Sequence, residues 1–198
     1  MSMAYYGTQG SSRAVRRIVR RRLICLVGLP GSGKSTVASM FQDHGLPVVV
    51  MGDVVRREAM VRGVKPSLGS MRRLMLRLRM EKGEAVIADL CIPPIYETGS
   101  NTVIVDGVRS LAEVRRFQRF ADTILIGVFS PRWLRFKRLR RRRRRDAPRT
   151  LKDLTLRDMT EINVGLGDVF ALADFVLVND STIKSLELSV GRISSIIH

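Results

Sequence analysis

Residues 23–41, LICLVGLPGSGKSTVASMF, constrain the fold of this chain more than any other stretch. The segment begins with an apolar run that ends at Gly28, as expected for a short strand buried on both faces of a sheet. It ends with a helical pattern in which Val37, Met40 and Phe41 share one face. Between the two lies GLPGSGKS, which fits the pattern G-x-x-x-x-G-K-[ST]. A strand, a glycine-rich turn and a helix in this order predict the start of a parallel α/β sheet.

The glycine-rich turn has the composition of a phosphate-binding loop. Its glycines allow the backbone to wrap around phosphates, so that several N–H groups and the positive end of the helix point at them. The ammonium group of Lys34 can bridge the terminal phosphates of a nucleoside triphosphate, and the hydroxyl of Ser35 can bind Mg²⁺. We therefore predict ATP and Mg²⁺ as ligands. The predicted nucleotide-binding residues of the loop are Gly28, Leu29, Pro30, Gly31, Ser32, Gly33, Lys34, Ser35 and Thr36.

Strands and helices alternate along the rest of the chain. Four further apolar runs indicate strands: PVVVMG, NTVIVDG, TILIGVFS and DFVLVND. Helical patterns cover residues 53–60, 68–82, 111–120, 131–142, 151–165 and 182–197. The pattern predicts a three-layer α/β fold with a five-stranded parallel sheet, in which residues 53–101 form a helical insert between the second and third strands.

The composition limits the class of protein. With 198 residues, 45% of them hydrophobic, the chain can bury one substantial core. No apolar run approaches the roughly 20 residues of a membrane helix, and the N-terminus lacks the apolar centre of a secretory signal. We therefore expect a cytoplasmic protein with no membrane partner. Cys25 and Cys91 are far apart and outside any metal-ligand or redox spacing, which favours two buried, reduced thiols.

The net charge of +17 is concentrated in two segments. Residues 13–22 hold six arginines and no acid, whereas residues 137–149, KRLRRRRRRDAPR, hold nine basic residues and one acid. Their net charges of +6 and +8 leave +3 for the rest of the chain. Neither segment interleaves aromatic residues for base stacking, so nucleic acid is a secondary candidate partner. Residues 1–21 are predicted to be a disordered basic extension, and residues 22–198 the folded domain.

Two further motifs follow predicted strands. In VIVDGVRS, Asp106 is placed to hold magnesium together with Ser35, and Arg109 is expected to point into the same crevice. In MGDVVRREA, Asp53 can cap the following helix, and Arg56 lies one helical turn further on. Arg56 could there hold the phosphate of a second substrate. The carboxyl ends of parallel strands share one sheet edge, so these motifs should meet at the phosphate-binding loop.

GLPGSGKST, GDVVR and DGVR, in this order, resemble the phosphate loop, the acceptor helix and the DG-x-x-R turn of adenylate kinase and other nucleoside monophosphate kinases. The arginine-rich segment ending in RDAP, and the later RD, resemble the lid of that superfamily. With GLGDVFALADFVLVND, the motifs are similar to an archaeal family described as adenylate-kinase-related nucleotide-binding proteins, over about residues 22–198. The resemblance implies a P-loop kinase fold and ATP-dependent phosphoryl transfer to a small nucleotide-like acceptor.

The resemblance also implies roles for individual residues. Residues 138–152 correspond to the lid, and helical spacing favours three of its arginines as phosphate ligands: Arg141, Arg145 and Arg149. Asn179 corresponds to a residue that contacts the donor base. The implied catalytic residues are Lys34, Asp53, Arg109, Arg141 and Arg145. The implied acceptor-binding residues are Asp53, Arg56, Arg109, Arg149 and Arg157, and the implied metal ligands are Ser35 and Asp106.

Alternative functions remain open at the level of sequence. The run LPVVVMGDVVRRE and the late ADFVLVND are also similar to dephospho-coenzyme A kinase. On that resemblance, Asp53 would take the proton of a ribose 3′-hydroxyl. A nucleic-acid-associated ATP-binding protein would use the two basic segments as its electrostatic contact surface. A regulatory ATPase would use the loop without any acceptor.

Overall fold

The computed structural model describes residues 21–65, 67–142 and 147–197. The strands are β1 (Arg22–Val27), β2 (Val48–Val50), β3 (Thr102–Asp106), β4 (Asp122–Phe129) and β5 (Phe175–Val178). The helices are α1 (Lys34–Asp43), α2 (Met51–Val61), α3 (Leu68–Lys82), α4 (Val86–Glu97), α5 (Leu111–Phe120), α6 (Arg132–Arg141), α7 (Leu151–Asn163), α8 (Leu166–Ala171) and α9 (Ile183–Ile197). None of the helices in these described ranges is long and apolar enough to cross a membrane.

The strands form one parallel sheet in the order β2-β3-β1-β4-β5. The predicted α/β fold with a five-stranded parallel sheet is therefore confirmed. β1 lies at the centre and is buried on both faces, which explains its uninterrupted apolar sequence. The sheet order brings the carboxyl ends of β3 and β4 to either side of the loop that follows β1.

Alternate residues of the strands supply two hydrophobic cores. Leu23, Cys25 and Val27 of β1 face one core, which is covered by residues of α2, α3, α4, α5 and α8. Ile24 and Leu26 face the other core, which is covered by α1 and α9. This arrangement is the predicted three-layer architecture.

One boundary and two helices differ from the sequence prediction. β2 ends at Val50 rather than at residue 52, because Met51 is buried as the first residue of α2. The insert between β2 and β3 is helical throughout and includes α4, for which the sequence predicted no separate helix. That helix contains Pro93 and Pro94, which weaken helical signals, but its apolar residues are held by the core. The short α8 was likewise not predicted.

Candidate active site

The loop GLPGSGKS joins the central strand β1 to α1, and its glycines are required by the backbone and by close neighbours. Gly31 and Gly33 have φ angles of +81° and +105°, in the left-handed region that favours glycine. A Cβ atom on Gly33 would clash with the side-chain nitrogen of Asn179. A Cβ atom on Gly28 would clash with the carbonyl oxygen of Val128. The loop is thus packed against β4 and the residue that follows β5.

α1 begins at Lys34, and its N-terminal end opens into a cavity of about 170 Å³. The first N–H groups of a helix have no partner within the helix, and the helix dipole adds positive potential at this end. Anions are bound at such ends in many proteins. Besides the loop, the turn after β3, the C-terminal end of α6, the α6–α7 connection, α7 and the start of α8 contribute to the cavity. Its charged lining residues are Lys34, Arg109, Arg142, Arg157 and Glu161.

The ammonium group of Lys34 lies across the loop. Its Nζ donates to the carbonyl oxygen of Gly28 at 2.6 Å and lies 3.5 Å from that of Leu29. Burial lowers the pKa of Lys34, and the nearby carboxylate of Asp106 acts in the opposite direction. A desolvated cation in this position is a strong ligand for phosphate oxygens, because little water has to be displaced from it.

Asp106 ends β3 next to Ser35, and only 6% of its surface is exposed. Burial raises the pKa of Asp106, whereas Lys34, Arg109 and a hydrogen bond from Ser35 lower it in part. Its Oδ1 atom is buried with no hydrogen-bond partner in the described part of the chain. An unpartnered buried carboxylate oxygen beside a hydroxyl suits a hard cation such as Mg²⁺, which binds few protein ligands and retains water. These two residues therefore fit Mg²⁺.

The turn after β3 holds Arg109 at the cavity. The guanidinium Nε of Arg109 lies 3.3 Å from Oε2 of Glu161 on α7. Its backbone N–H donates to Glu113, which is 1% exposed and also accepts from the backbone N–H of Ser110. Glu113 forms an ion pair of 3.1 Å with Arg79 of α3. The buried carboxylate of Glu113 thus fixes the turn and connects it to the helical insert.

The structure corrects the predicted face of α6. Arg142, not Arg141, lines the cavity, together with Leu139. Each helical residue turns the side chain by 100°, so the buried positions 135 and 139 place position 142 on the same inner side. Arg141 lies on the outer side with Phe136. A run of arginines gives no signal for this register, so the sequence alone could not show that Arg142 and not Arg141 faces the cavity.

The other predicted lid residues have different positions. Arg145 lies outside the described residues. Arg149 is exposed and does not line the cavity; its backbone N–H donates to Asp153 at 2.9 Å, within the capping box that starts α7. Arg157 lines the cavity from α7.

Asn179 supports the loop instead of lining the cavity where a donor base was expected. It is 7% exposed, and its side-chain amide donates to the carbonyl oxygen of Ser32 at 2.8 Å. Its Oδ1 accepts from Arg138 at 2.9 Å, and Arg138 also donates to Ser130 at 3.0 Å. The nitrogen and the oxygen of the Asn179 side chain thus each bond to a protein group, and the residue holds the loop in shape.

Asp53 and Arg56 lie on α2 and form an ion pair with each other. Both side chains are 51% exposed, and neither lines the cavity. Asp53 does not cap the helix as predicted, because α2 begins at Met51 and its N-cap is Val50. It lies instead in the first helical turn, where the helix dipole favours a carboxylate. The charge of Asp53 contributes to the raised pKa of Asp106, so the two carboxylates lie near each other.

Comparison with known proteins identifies the family. A protein-family profile described as "AAA domain" matches residues 27–155. A UPF0200 protein of Hyperthermus butylicus is 42% identical over 88% of this chain and 94% of its own length. The UPF0200 protein PH1008 of Pyrococcus horikoshii is 39% identical over 87% of this chain and 96% of its own. This chain belongs to the UPF0200 family.

Solved structures show that this UPF0200 protein has a P-loop kinase-like fold. TT1252 from Thermus thermophilus superposes with a TM-score of 0.64 at 20% identity, over 90% of this chain and 99% of that one. Shikimate kinase from Acinetobacter baumannii, in complex with shikimate, gives a TM-score of 0.55 at 16% identity, over 88% and 92% of the two chains. At these identities the likeness concerns the fold.

One buried ion pair of this UPF0200 protein had not been predicted from sequence. Arg135 of α6 and Asp158 of α7 form two parallel hydrogen bonds of 2.8 Å each. Arg135 also donates to the carbonyl oxygen of Pro30 at 3.2 Å. The pair therefore connects α6, α7 and the phosphate-binding loop. The RD at positions 157–158 was a signal for this site, but nothing in the sequence identified Arg135 among its basic neighbours as the partner of Asp158.

Proposed function

We propose that this protein is an ATP-dependent kinase, related to adenylate kinase, that transfers the γ-phosphoryl group to a small nucleotide-like acceptor. The observation that carries the proposal is the convergence of Lys34, Arg109, Arg142 and Arg157 on one cavity at the N-terminus of α1. These cations come from four separate segments of the chain. A glycine-rich turn without catalytic purpose would not require such a concentration of positive charge.

The arrangement suits phosphoryl transfer, in which positioning and charge stabilisation do most of the work. The loop N–H groups and Lys34 bind the β- and γ-phosphates. An oxygen of the acceptor attacks the γ-phosphorus in line, while the bond to the oxygen of the ADP leaving group breaks. Arg142 and Arg157, on the two helices beside the loop, stabilise the charge on the migrating group. No covalent intermediate on the enzyme is required.

Ser35 and Asp106 would hold Mg²⁺ beside the terminal phosphates. The ion would neutralise charge that develops on the β- and γ-phosphate oxygens. The unpartnered Oδ1 atom of Asp106 supports this assignment, because its desolvation is otherwise uncompensated.

The acceptor that we favour is a nucleoside monophosphate. Its phosphate is already ionised at neutral pH and needs no general base, so the pairing of Asp53 with Arg56 would serve to orient the guanidinium toward that phosphate. Arg109, in the turn after the neighbouring strand β3, would bind the same group. The alternative is a hydroxyl acceptor, as in dephospho-coenzyme A, for which Asp53 would be the base. Shikimate kinase, among the structural neighbours, also gives reason to test hydroxyl acceptors.

A coupled assay of ADP release tests the proposal. The wild-type protein is incubated with Mg-ATP and, in turn, with nucleoside monophosphates, dephospho-coenzyme A and shikimate. We expect nucleoside monophosphates to stimulate ADP release. Lys34→Met should abolish the stimulated rate. If no acceptor changes the rate while ATP binding is intact, the kinase proposal is wrong, and a regulatory nucleotide-binding protein becomes the better explanation.

Asp53→Asn distinguishes the two classes of acceptor. Loss of a general base lowers kcat by about 10²–10⁴-fold, and this is the result expected for a hydroxyl acceptor. For a phosphate acceptor, the change should mainly raise the KM of the acceptor, because Arg56 loses its orienting partner while the attacking oxygen needs no base. The ratio of the two effects, measured with the stimulating acceptor, decides between them.

A further inference from the structure

The outer face of α6 combines aromatic and basic residues. Trp133, Phe136, Lys137, Arg140 and Arg141 follow one another at helical spacings of three and four, so they share one side of the helix. Trp133 is 63% exposed, and the basic residues are also exposed. This helix face therefore presents aromatic surface and positive charge to solvent side by side.

The opposite face of α6 accounts for the interactions of this helix with the domain. Arg135 pairs with Asp158, Arg138 binds Asn179, and Leu139 is buried. Among the described residues, no carboxylate forms an ion pair with Lys137, Arg140 or Arg141. The positive charge of the outer face is therefore not neutralised by the part of the domain that the structure describes.

The outer face also has a preformed shape. Phe136, Lys137, Arg140 and Arg141 surround an open concavity on the protein surface. The guanidinium of Arg140 lies over the ring of Phe136, with its carbon 5.6 Å from the ring centroid. A guanidinium held against an aromatic ring presents a flat, positively charged surface.

We propose that the outer face of α6 binds single-stranded nucleic acid. Lys137, Arg140 and Arg141 would contact backbone phosphates, and Trp133 and the Phe136–Arg140 pair would stack against unpaired bases. Positive grooves combined with aromatic platforms bind single strands in this way, with little dependence on sequence. The basic segment 137–149 by itself contains no aromatic residue, but the structural unit is the helix face, which begins at Trp133.

A membrane surface fits this face less well. An amphipathic helix that lies in a bilayer needs a continuous apolar face available for insertion. On the outer face of α6, Trp133 and Phe136 are interrupted by basic residues, and Leu139 is 6% exposed and packs in the protein, so no continuous apolar face is available. Double-stranded nucleic acid also fits less well, because stacked and paired bases cannot reach Trp133. The surface is separate from the cavity, so this proposal does not depend on the kinase reaction.

Fluorescence anisotropy of the full-length protein tests the proposal. The probe is a fluorescein-labelled, mixed-sequence RNA or DNA single strand of about 20 nucleotides, which exceeds the roughly 4–16 nucleotides that one such groove covers. A duplex of the same sequence is measured in parallel. Titrations are repeated between about 50 and 200 mM salt, because the slope of log K against log salt reports the number of phosphate contacts.

Two variants on the outer face separate charge from stacking. The triple variant Lys137→Gln, Arg140→Gln and Arg141→Gln should bind at least about tenfold more weakly, and the slope of log K against log salt should fall by about 2, since each contact with a single strand contributes about 0.7. Trp133→Ala should bind single strands about five- to a hundredfold more weakly, with an unchanged salt slope. The affinity of Trp133→Ala for the duplex should equal that of the wild type.

The matched control removes three arginines from another exposed helix. Arg72→Gln, Arg73→Gln and Arg77→Gln on α3 change the net charge by the same amount, and these residues are likewise exposed. The control should keep its affinity within about threefold, since it loses only long-range attraction. Thermal melts establish that each variant is folded.

Three results would overturn the proposal. The first is an equal loss of affinity in the control and in the α6 triple variant, which would mean nonspecific electrostatics. The second is no loss in either α6 variant, which would locate any binding elsewhere in the chain. The third is tighter, Trp133-dependent binding to phosphatidylserine vesicles that displaces the oligonucleotide, which would assign the face to membranes.

Discussion

Asp106 shows at the residue scale how a functional group lowers the stability of the folded protein. Its net pKa shift is upward, so burial outweighs the attraction of Lys34 and Arg109. The ionised form is therefore less favourable in the folded state than in the unfolded state. The contribution of Asp106 to the free energy of unfolding decreases as pH rises through the raised pKa. A buried carboxylate that lowers the stability of the fold indicates a functional role, here the binding of a cation.

We therefore predict that Asp106→Asn raises the Tm in the absence of metal at neutral pH. A gain of about 1 kcal/mol corresponds to about 2–4 °C in a chain of this size. Mg²⁺ should raise the Tm of the wild type further in the presence of ATP but leave that of the variant unchanged. Wild-type stability relative to the variant should recover as pH falls toward the usual value of 3.8. A lower Tm for the variant at neutral pH would contradict this account.

Arg141 and Arg142 are a matched pair of residues, identical in type and adjacent in sequence, on different sides of α6. Arg142→Gln removes a charge from the cavity and should lower kcat in the ADP-release assay by about 10²–10³-fold. Arg141→Gln removes a charge from the outer face and should leave kcat within about twofold. Binding of a fluorescent ATP analogue is the control for both. Equal losses of kcat in the two variants would contradict the observed helix register.

At the scale of elements, the Arg135–Asp158 pair determines how α6 and α7 sit against the loop. Both side chains are at most 10% exposed, so neither charge has water to replace its partner. The extra bond from Arg135 to Pro30 means that the same guanidinium restrains the loop backbone. Two helices that each contribute a cavity arginine are thus held by one ion pair.

Asp158→Ala should be strongly destabilising, because it leaves the Arg135 charge buried and unpaired. The expected cost is about 3–5 kcal/mol, or a fall in Tm of roughly 6–20 °C. Glu81→Ala is the comparison: Glu81 is 45% exposed, and its ion pair with Arg62 is worth at most about 1 kcal/mol. Similar melting temperatures for these two variants would show that the Arg135–Asp158 pair contributes no more to stability than an exposed ion pair.

At the scale of the whole molecule, one hydrophobic core connects the sheet with the helical insert. Cys25 of β1 and Cys91 of α4 both belong to that core and are fully buried, as the sequence suggested. Burial raises the pKa of Cys91 to about 12, and it raises that of Cys25 further. Neither thiol is therefore reactive in the folded protein.

We predict that the insert and the sheet unfold together. In the Cys25→Ala variant, the remaining thiol of Cys91 reports on the unfolding of the insert. In the Cys91→Ala variant, the remaining thiol of Cys25 reports on the unfolding of the central strand. The urea midpoints for thiol labelling should coincide with each other and with that from circular dichroism, once corrected for the stability of each variant. Earlier exposure of Cys91 would show that residues 53–101 form a separately unfolding unit.

The amino-acid sequence alone determined those features of this protein that depend on residues close together in the chain. The apolar run of β1, the glycines of the loop and the helical spacing of α1 predicted the sheet, the phosphate-binding turn and the positions of Lys34 and Ser35. Asp106 and Arg109 could be placed at the loop because parallel strands end at the same edge of a sheet. The fold class followed from the same alternation of strands and helices.

Tertiary structure alone decided which side chains face the cavity and which support it. Six consecutive arginines are identical as sequence, and only the packing of Arg135 and Leu139 selects Arg142 for the inner face. In the same way, Asn179 supports the loop because β5 ends beside it. Its side chain bonds to Ser32, which lies 147 positions away in the sequence. Sequence patterns report the preferences of a segment, whereas the direction of a side chain depends on distant residues that pack against it.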